Sequence, residues 1–309
     1  VPQLSESTDP CGKLNVHFVK QILYKWYRAQ FALLSLYYLI KLNSNSNLDI
    51  VYTRSLINFV PLSILNIVLQ KTLILEANCI WSDEQIINED GLMKNFKHTL
   101  IRFLELFAAK HAHYIITVTQ GIKVYFVAAG INEEKIFVVE NGANIELFKP
   151  IDSQYAQRLM GLPDKYKYVC FVGNLAPWQG TEYLIQAAPH ILKECSDVRF
   201  LVVGDGKMRG EMENKALQLA VFDQFIFTGM VPYEQVTYYI NASTICVAPF
   251  IITRNEKIGL SPLKMYEYLA CGKPVVASDI PGVRHLLNKS DSGVLVEPEN
   301  SEELAIAIL

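Results

Sequence analysis

No stretch of this 309-residue chain approaches the ~20 consecutive apolar residues that a membrane-crossing helix needs. The longest candidate, Phe31 to Ile40, is too short. A dominant charge is also missing: 28 Lys and Arg against 31 Asp and Glu leave a formal −3 with the signs interspersed, which gives no sign of a nucleic-acid protein. Cysteines are few and unpaired in pattern. Cys11, Cys79, Cys170, Cys195, Cys246 and Cys271 show no C-x-x-C spacing, and several fall in apolar runs, so they read as buried thiols in a reducing compartment rather than metal ligands. Histidine is scarce as well. His98, His111 and His113 fit partly exposed helix positions better than catalytic bases, and no chemistry is assigned to them.

What is present is apolar material, 51% of the residues, enough for two domain-sized cores. It is arranged as an alternation of short apolar runs and helical patterns. One long helical pattern covers 14–42, a polar turn covers 43–47, and Asp49 to Thr53 reads as a strand. Helix follows near 56–69, strand at 72–76, a loop through Trp81, helix near 92–111, strand at 114–119, helix at 121–129 and strand at 135–140. Irregular backbone from Asn144 to Lys165, marked by Pro150, Gly161 and Pro163, separates a domain at 1–149 from one at 150–309, where the alternation resumes at Tyr168. Such a β-α order predicts an α/β protein with two parallel sheets, each covered on both faces, and a cleft between them.

The richest segment runs from Ser261 to Asp279. Ser261 reads as an N-cap and Pro262 as the first helical residue, so a helix starts there with free amides and a positive dipole end suited to an anion. Lys264 and Glu267, three apart, share a face of that helix. The Lys supplies a point charge for phosphate, and the Glu is placed to accept the hydroxyls of a ribose. Cys271-Gly272 ends the helix, Lys273 sits beside its negative end, and Pro274 to Ala277 reads as a buried parallel strand. On these residues alone, an ordinary helix-to-strand junction, with Glu267 paired to its neighbouring Lys, fits equally well. Ligands of open parallel sheets bind beyond the carboxyl ends of the strands, so the Ser261 loop and the turns at Gly173 and Gly204 are expected on one rim.

The same segment resembles the signature of the family-4 retaining glycosyltransferases, in the branch that carries S-P-L-K-x-x-E-Y-x-A-x-G-x-P-V-V-A-S. Phe171 to Gly180 followed by Tyr183 to Ala187 is similar to the family's F-V-G-R-L-x-x-x-K-G-x-x-x-L-I-x-A. Leu201 to Gly206 with Phe227 to Val231 resembles its second strand, glycine turn and base-binding strand, and Ile136 to Asn144 with Phe148-Lys149-Pro150 resembles its domain crossover. The resemblance implies a GT-B fold, two Rossmann-like domains facing across a cleft, with the donor in the second and the acceptor in the first. It implies sugar transfer from a nucleotide diphosphate sugar to a hydroxyl on a glycan or lipid-linked precursor, with retention, no metal and no cofactor. A cytoplasmic protein, associated peripherally with the inner membrane face, would fit this role. Lys264 and Glu267 would be catalytic. Gly173, Asn174, Gln179, Gly180, Gly204, Asp205, Gly206, Arg209, Thr228, Gly229, Met230, Val231, Ser261, Pro262 and Leu263 would line the donor.

The chain also departs from the family. The Arg and Lys that usually grip the donor diphosphate fall at Asn174 and Gln179, both neutral, which makes Lys264 the substitute, with Arg209, Arg254 or Lys257 as further cations. The first Glu of the paired-Glu signature falls at Gly259, leaving Glu256 as a weak stand-in and the donor sugar open. On the acceptor side, Arg54, Glu76 and Asn78 follow the ends of two strands, and relatives carry a Glu-x-Asn at the latter. Trp178 reads as a brace for its turn. Tyr24, Trp26, Tyr27, Phe31, Tyr37 and Tyr38, punctuated by Lys20, Lys25, Arg28 and Lys41, read as a buried helix first and as a membrane-surface helix second. The first residue is Val, and the last, Ser301 to Leu309, form a helical pattern with neither cap nor stop signal, so the chain reads as a fragment. Two alternatives stand beside transfer: a nucleotide-sugar 2-epimerase of the same architecture, or a binding protein whose catalysis is impaired.

Overall fold

The computed structural model describes residues 4–8, 15–19, 36–37, 39–41, 44, 49–54, 56–84, 92–252 and 259–309. The chain divides into two compact units, one of residues 1–117 with 122–139 and the other of residues 118–121 with 140–309.

The first unit is built on a four-stranded sheet in the order β3-β4-β5-β6, every pair parallel. Its strands are β3 Ile50–Thr53, β4 Thr72–Ala77, β5 Tyr114–Thr117 and β6 Ile136–Val138. Helix α1 Leu56–Leu69 connects the first two, a single turn Trp81–Glu84 and α2 Leu92–His111 the next two, and α3 Gln120–Ala128 the last. In β4 the buried residues are Leu73, Leu75 and Ala77, alternating with half-buried ones, as a period of two requires. The expected helix over 14–42 is overturned at its start. Asn15–Val19 is a strand, β2, paired antiparallel with β1 Leu4–Thr8 from Leu4↔Val19 to Thr8↔Asn15. Val16, Phe18 and Val19 favour an extended chain, and that local preference prevails over the helical spacing downstream. Residues 36–37, 39–41 and 44 are helical, while Tyr24, Trp26, Tyr27 and Phe31 lie outside the described residues.

The second unit carries a six-stranded, all-parallel sheet in the order β12-β11-β10-β7-β8-β9. Its strands are β7 Lys167–Val172, β8 Val198–Val203, β9 Phe225–Gly229, β10 Ile245–Ala248, β11 Val275–Ser278 and β12 Gly293–Val296. The intervening helices are α4 Ser153–Leu159 before β7, then α5 Thr181–Glu194, α6 Arg209–Gln218, α7 Tyr233–Ala242, α8 Leu263–Ala270, α9 Val283–Ser290 and α10 Ser301–Ile308. Strand β7 divides its side chains between two cores: Tyr168, Cys170 and Val172 pack with Met265 and Tyr268 in one, Val169 and Phe171 with Leu184 and Phe200 in the other. Helix α10 does have a cap, since the Asn300 side chain accepts from Glu303 N at 3.0 Å.

Residues 140–149 group with this unit for reasons visible in their contacts. Asn141 bonds to Ser261, Phe148 is buried against the Tyr233 ring at 5.4 Å, and Asn241 Nδ2 donates to Lys149 O at 3.0 Å. The stretch resembling a crossover is thus packed into the second core.

The strand order places a switch point between β7 and β10, where the chain reverses its direction of sheet growth. Their pairing runs from Ile245↔Val169 to Cys246↔Cys170. Further on, the Tyr268 hydroxyl accepts from Val172 N at 2.8 Å and donates to Val247 O at 3.4 Å, so a side chain stands where the ladder would continue. Open α/β sheets bind their ligands in the crevice at such a point.

Candidate functional site

Helix α8 leads into the crevice, but its start differs from the reading above. Pro262 is the N-cap (φ −80°, ψ 118°), Leu263 is the first helical residue, and no side chain caps the helix. Ser261 is otherwise engaged. Its Oγ accepts from Asn141 N at 2.9 Å and lies 3.0 Å from the Tyr266 hydroxyl, while its carbonyl accepts from Asn141 Nδ2 at 2.7 Å. The serine therefore ties the loop to residue 141. At the other end Gly272 takes a left-handed φ of 68°, and Lys273 Nζ donates to Asn241 O (2.8 Å), near the end of α7, and to Ser153 Oγ (3.1 Å), instead of serving α8.

Lys264 is buried, at 8% exposure, and its Nζ is aimed at the turn after β7. It donates to Gln179 Oε1 at 2.7 Å and lies 3.8 Å from the Phe171 ring centroid and 5.2 Å from that of Phe250. A Cβ on Gly173, where φ is +145°, would stand 2.8 Å from that nitrogen, so only glycine leaves the ammonium its place. Burial pushes the Lys264 pKa down to about 7, against a partial upward pull from Cys170 and Glu267. A protonated amine held this way has a strong need for an anion.

Glu267 is buried too, and burial raises its pKa, opposed by the Tyr233 hydrogen bond and the Lys264 charge. The Tyr233 hydroxyl donates to its Oε1 at 3.2 Å. Lys264 turns to Gln179 and Glu267 to Tyr233, so the two do not consume each other.

The turns after β7 and β8 are stitched together. Leu175 N donates to Asp205 O at 2.9 Å, Met208 N to Leu175 O at 3.1 Å and Gly204 N to Gly229 O at 3.1 Å. A Cβ on Gly206 would collide with Asn174 Oδ1 and the Leu175 backbone, and one on Gly180 with the Pro249 carbonyl. Gly173, Asn174, Gln179, Gly180, Gly204, Asp205 and Gly206 are brought together as a consequence. Thr228 Oγ1 donates to Gly229 O at 2.8 Å, Met230 is 86% exposed beside it, and Val231 is half-buried. Arg209 does not supply a spare cation: it pairs with Asp205 Oδ2 at 3.2 Å and Glu213 Oε1 at 2.8 Å. Arg254, Glu256 and Lys257 lie outside the described residues. Gly259 has φ +67°, and a Cβ there would stand 3.2 Å from the Pro281 carbonyl, which favours glycine where the resemblance leads one to expect a Glu. The Trp178 carbonyl accepts from Ile251 N at 3.4 Å.

In the first unit, Arg54 Nε reaches Glu76 Oε1 at 3.0 Å, and the Tyr52 hydroxyl bonds Glu76 Oε2. Asn78 Oδ1, two residues on, is buried without a hydrogen-bond partner. The histidines are accounted for locally. His113 Nδ1 accepts from Leu73 N (3.0 Å), His98 lies 3.1 Å from Asp83, and His111 Nδ1 donates to Phe107 O (2.8 Å). Sequence reasoning missed Asn141, Phe171, Tyr233 and Phe250 as site residues. Only Asn141 and Phe171 left a signal, being inside recognised motifs. It also missed Glu105, buried on α2, which accepts from Trp81 N, Ser82 Oγ and Tyr125 Oη at 2.7, 3.1 and 3.0 Å.

The switch-point crevice, with a buried Lys, a carboxylate held apart from it and two interlocked glycine turns, lies within residues 166–309, which match the family described as Glycosyl transferases group 1. The match covers just under half of the chain. An uncharacterised glycosyltransferase of Methanocaldococcus jannaschii is 28% identical over 211 residues, 66% of this chain and 52% of that protein. The D-inositol 3-phosphate glycosyltransferase of Acidothermus cellulolyticus is 32% identical over 188 residues, 58% of this chain and 41% of that one. The chain thus spans about half the length, or less, of these curated relatives. Among solved structures, Anabaena HepE in complex with UDP superposes with TM-score 0.71 at 22% identity, covering 93% of this chain and 73% of its own. WaaG, a glycosyltransferase of lipopolysaccharide biosynthesis, gives 0.68 at 14%, covering 94% and 74%. The α/β architecture expected from the sequence, GT-B, is the fold of these neighbours.

Proposed function

We propose that the protein transfers a sugar from a nucleotide diphosphate sugar to a hydroxyl acceptor with retention of anomeric configuration. The observation that carries this reading is Lys264: an ammonium buried at the switch point, facing the Gly173 turn, with one side-chain amide as its hydrogen-bond acceptor. Charge grows on the β-phosphate as the sugar leaves, and a pre-placed cation in a low-dielectric crevice stabilises that change. Glu267, oriented by Tyr233, accepts the ribose hydroxyls. Thr228, Gly229, Met230 and Val231 meet the base, largely through backbone. No protein nucleophile stands out among the described residues, and the acceptor attacks on the face from which the diphosphate departs. Glu76, with Tyr52, Arg54 and Asn78, is the proposed acceptor-binding group of the first unit. The acceptor is a glycan or lipid-linked hydroxyl, met at the cytoplasmic face of a membrane; no described helix is long and apolar enough to cross one.

The complex of HepE with UDP puts uridine nucleotides first among the donors to test. A thermal-shift panel of UDP, GDP, ADP and CMP sugars should show one series raising the melting temperature, since a ligand that binds only the folded state stabilises it. The selected donor, incubated with and without glycan and lipid-linked acceptors, should be consumed with an acceptor present and form no epimer without one. No shift with any nucleotide would remove the proposal.

A further inference from the structure

The resemblance gives position 179 a Lys, yet here it is Gln, and Gln179 Oε1 is the acceptor that holds Lys264 Nζ. We infer that Gln179 is the positioning residue of the donor site: neither Asn174 nor Gln179 brings a charge to the turn after β7, and the Gln179 amide points the Lys264 ammonium at that turn. This rests on the donor-site reading above.

Three features support it. Lys264 carries three N–H donors, and Gln179 takes one; the other contacts of Nζ are the faces of Phe171 and Phe250, which attract a cation without accepting a directed hydrogen bond. Two donors are therefore left for an incoming anion. Gln179 itself is fixed from below, because it ends the 3-10 turn Pro177–Gln179, whose following residue, Gly180, has φ +66° and abuts the Pro249 carbonyl. Finally, an amide is the right polarity for the task. A carboxylate at 179 would neutralise the ammonium and compete with diphosphate, an ammonium there would repel Lys264, and an apolar side chain would leave Nζ unaimed. The charged or titratable groups that act on Lys264 are Cys170 from β7 and Glu267 from its own helix, and neither forms an ion pair with it. Positions 179 and 264 thus form an exchangeable pair: one supplies the charge and the other supplies its direction.

The test is a cycle of variants in the full chain, each checked by thermal unfolding, with UDP affinity by calorimetry and turnover with the donor that the panel selects. Gln179→Ala should lower kcat about tenfold with KM little changed, as expected when a group acts mainly in the transition state. Gln179→Glu keeps the shape and the hydrogen bond but should weaken UDP binding by about tenfold or more, through internal neutralisation. A purely structural role would not distinguish that carboxylate from the amide. Gln179→Lys and Lys264→Gln should each be impaired, while the double exchange Gln179→Lys/Lys264→Gln should recover most of the turnover lost in Lys264→Gln. If the wild type binds UDP but Gln179→Glu binds it equally well, or the exchange is no better than Lys264→Gln, the inference is wrong. If the wild type binds no nucleotide, the donor-site reading falls first and takes the inference with it.

Discussion

Lys264 shows at the scale of a single residue how far a sequence can be read. Its position at the start of a helix, and the neutral Asn174 and Gln179, pointed to it as the phosphate cation. Its partner was not legible, because a Gln eighty-five residues earlier carries no charge to announce a bond and the topology alone brings it near. Tyr233 was not singled out either: it lies on α7, two residues past the Phe227 to Val231 motif, and its hydroxyl donates to Glu267 across the fold. Replacing Lys264 by Met should lower kcat by roughly 10²–10³ with a much smaller change in UDP affinity, because the charge matters most as the diphosphate departs. The same variant tests burial. With the folded pKa near 7 and the ordinary value at 10.5, the unfolded chain holds a proton that the folded chain lacks between those values, so stability rises with pH across that window. The handicap of a buried charge is full below about pH 7 and vanishes above the ordinary lysine value. Without nucleotide, Lys264→Met should melt above wild type near pH 6, and the gap should close as pH rises through 7 toward 10.

At the scale of the element, the strands expected at 72–76 and at Pro274 to Ala277 match β4 and β11, and the helices expected near 56–69 and 92–111 match α1 and α2. Caps were read less well. Ser261 before Pro262 has the look of an N-cap, yet its hydroxyl serves Asn141, and the helix begins uncapped at Leu263. Asn141→Ala should therefore free the Ser261 loop, lowering UDP affinity several-fold in calorimetry while leaving the melting temperature close to wild type. The hairpin of β1 and β2 replaced an expected helix because three extended-favouring residues decided locally what the longer pattern did not. Tyr268 makes a further point. It was read only as part of a motif, but its hydroxyl fills the opening between β7 and β10. Tyr268→Phe leaves the buried Val172 N–H without its acceptor, so denaturant unfolding should show a loss of about 1–3 kcal/mol.

For the whole molecule, the α/β class and the alternation were plain in the sequence, whereas the grouping of residues 140–149 with the second unit was not. Residues 140–149 look like a connector and are packed against Tyr233, Asn241 and Ser261, contacts that no local pattern encodes. Hydrogen exchange with UDP should accordingly add protection at the turns after β7 and β8 and at residues 261–267, with the first unit's sheet unchanged; protection spread evenly over both units would contradict a donor site confined to the second.

In the proposed donor site Lys264, whose pKa burial lowers to about 7, becomes the fully charged partner of a nucleotide diphosphate. Titrating UDP into the full chain at about pH 8, in two buffers of different ionisation enthalpy, measures it directly. A free-state pKa of about 7 predicts uptake of ~1 proton per UDP bound as the diphosphate pulls Lys264 back to its charged form, and no such uptake in Lys264→Met. UDP binding that takes up no proton, or an uptake that survives in Lys264→Met, would contradict the account.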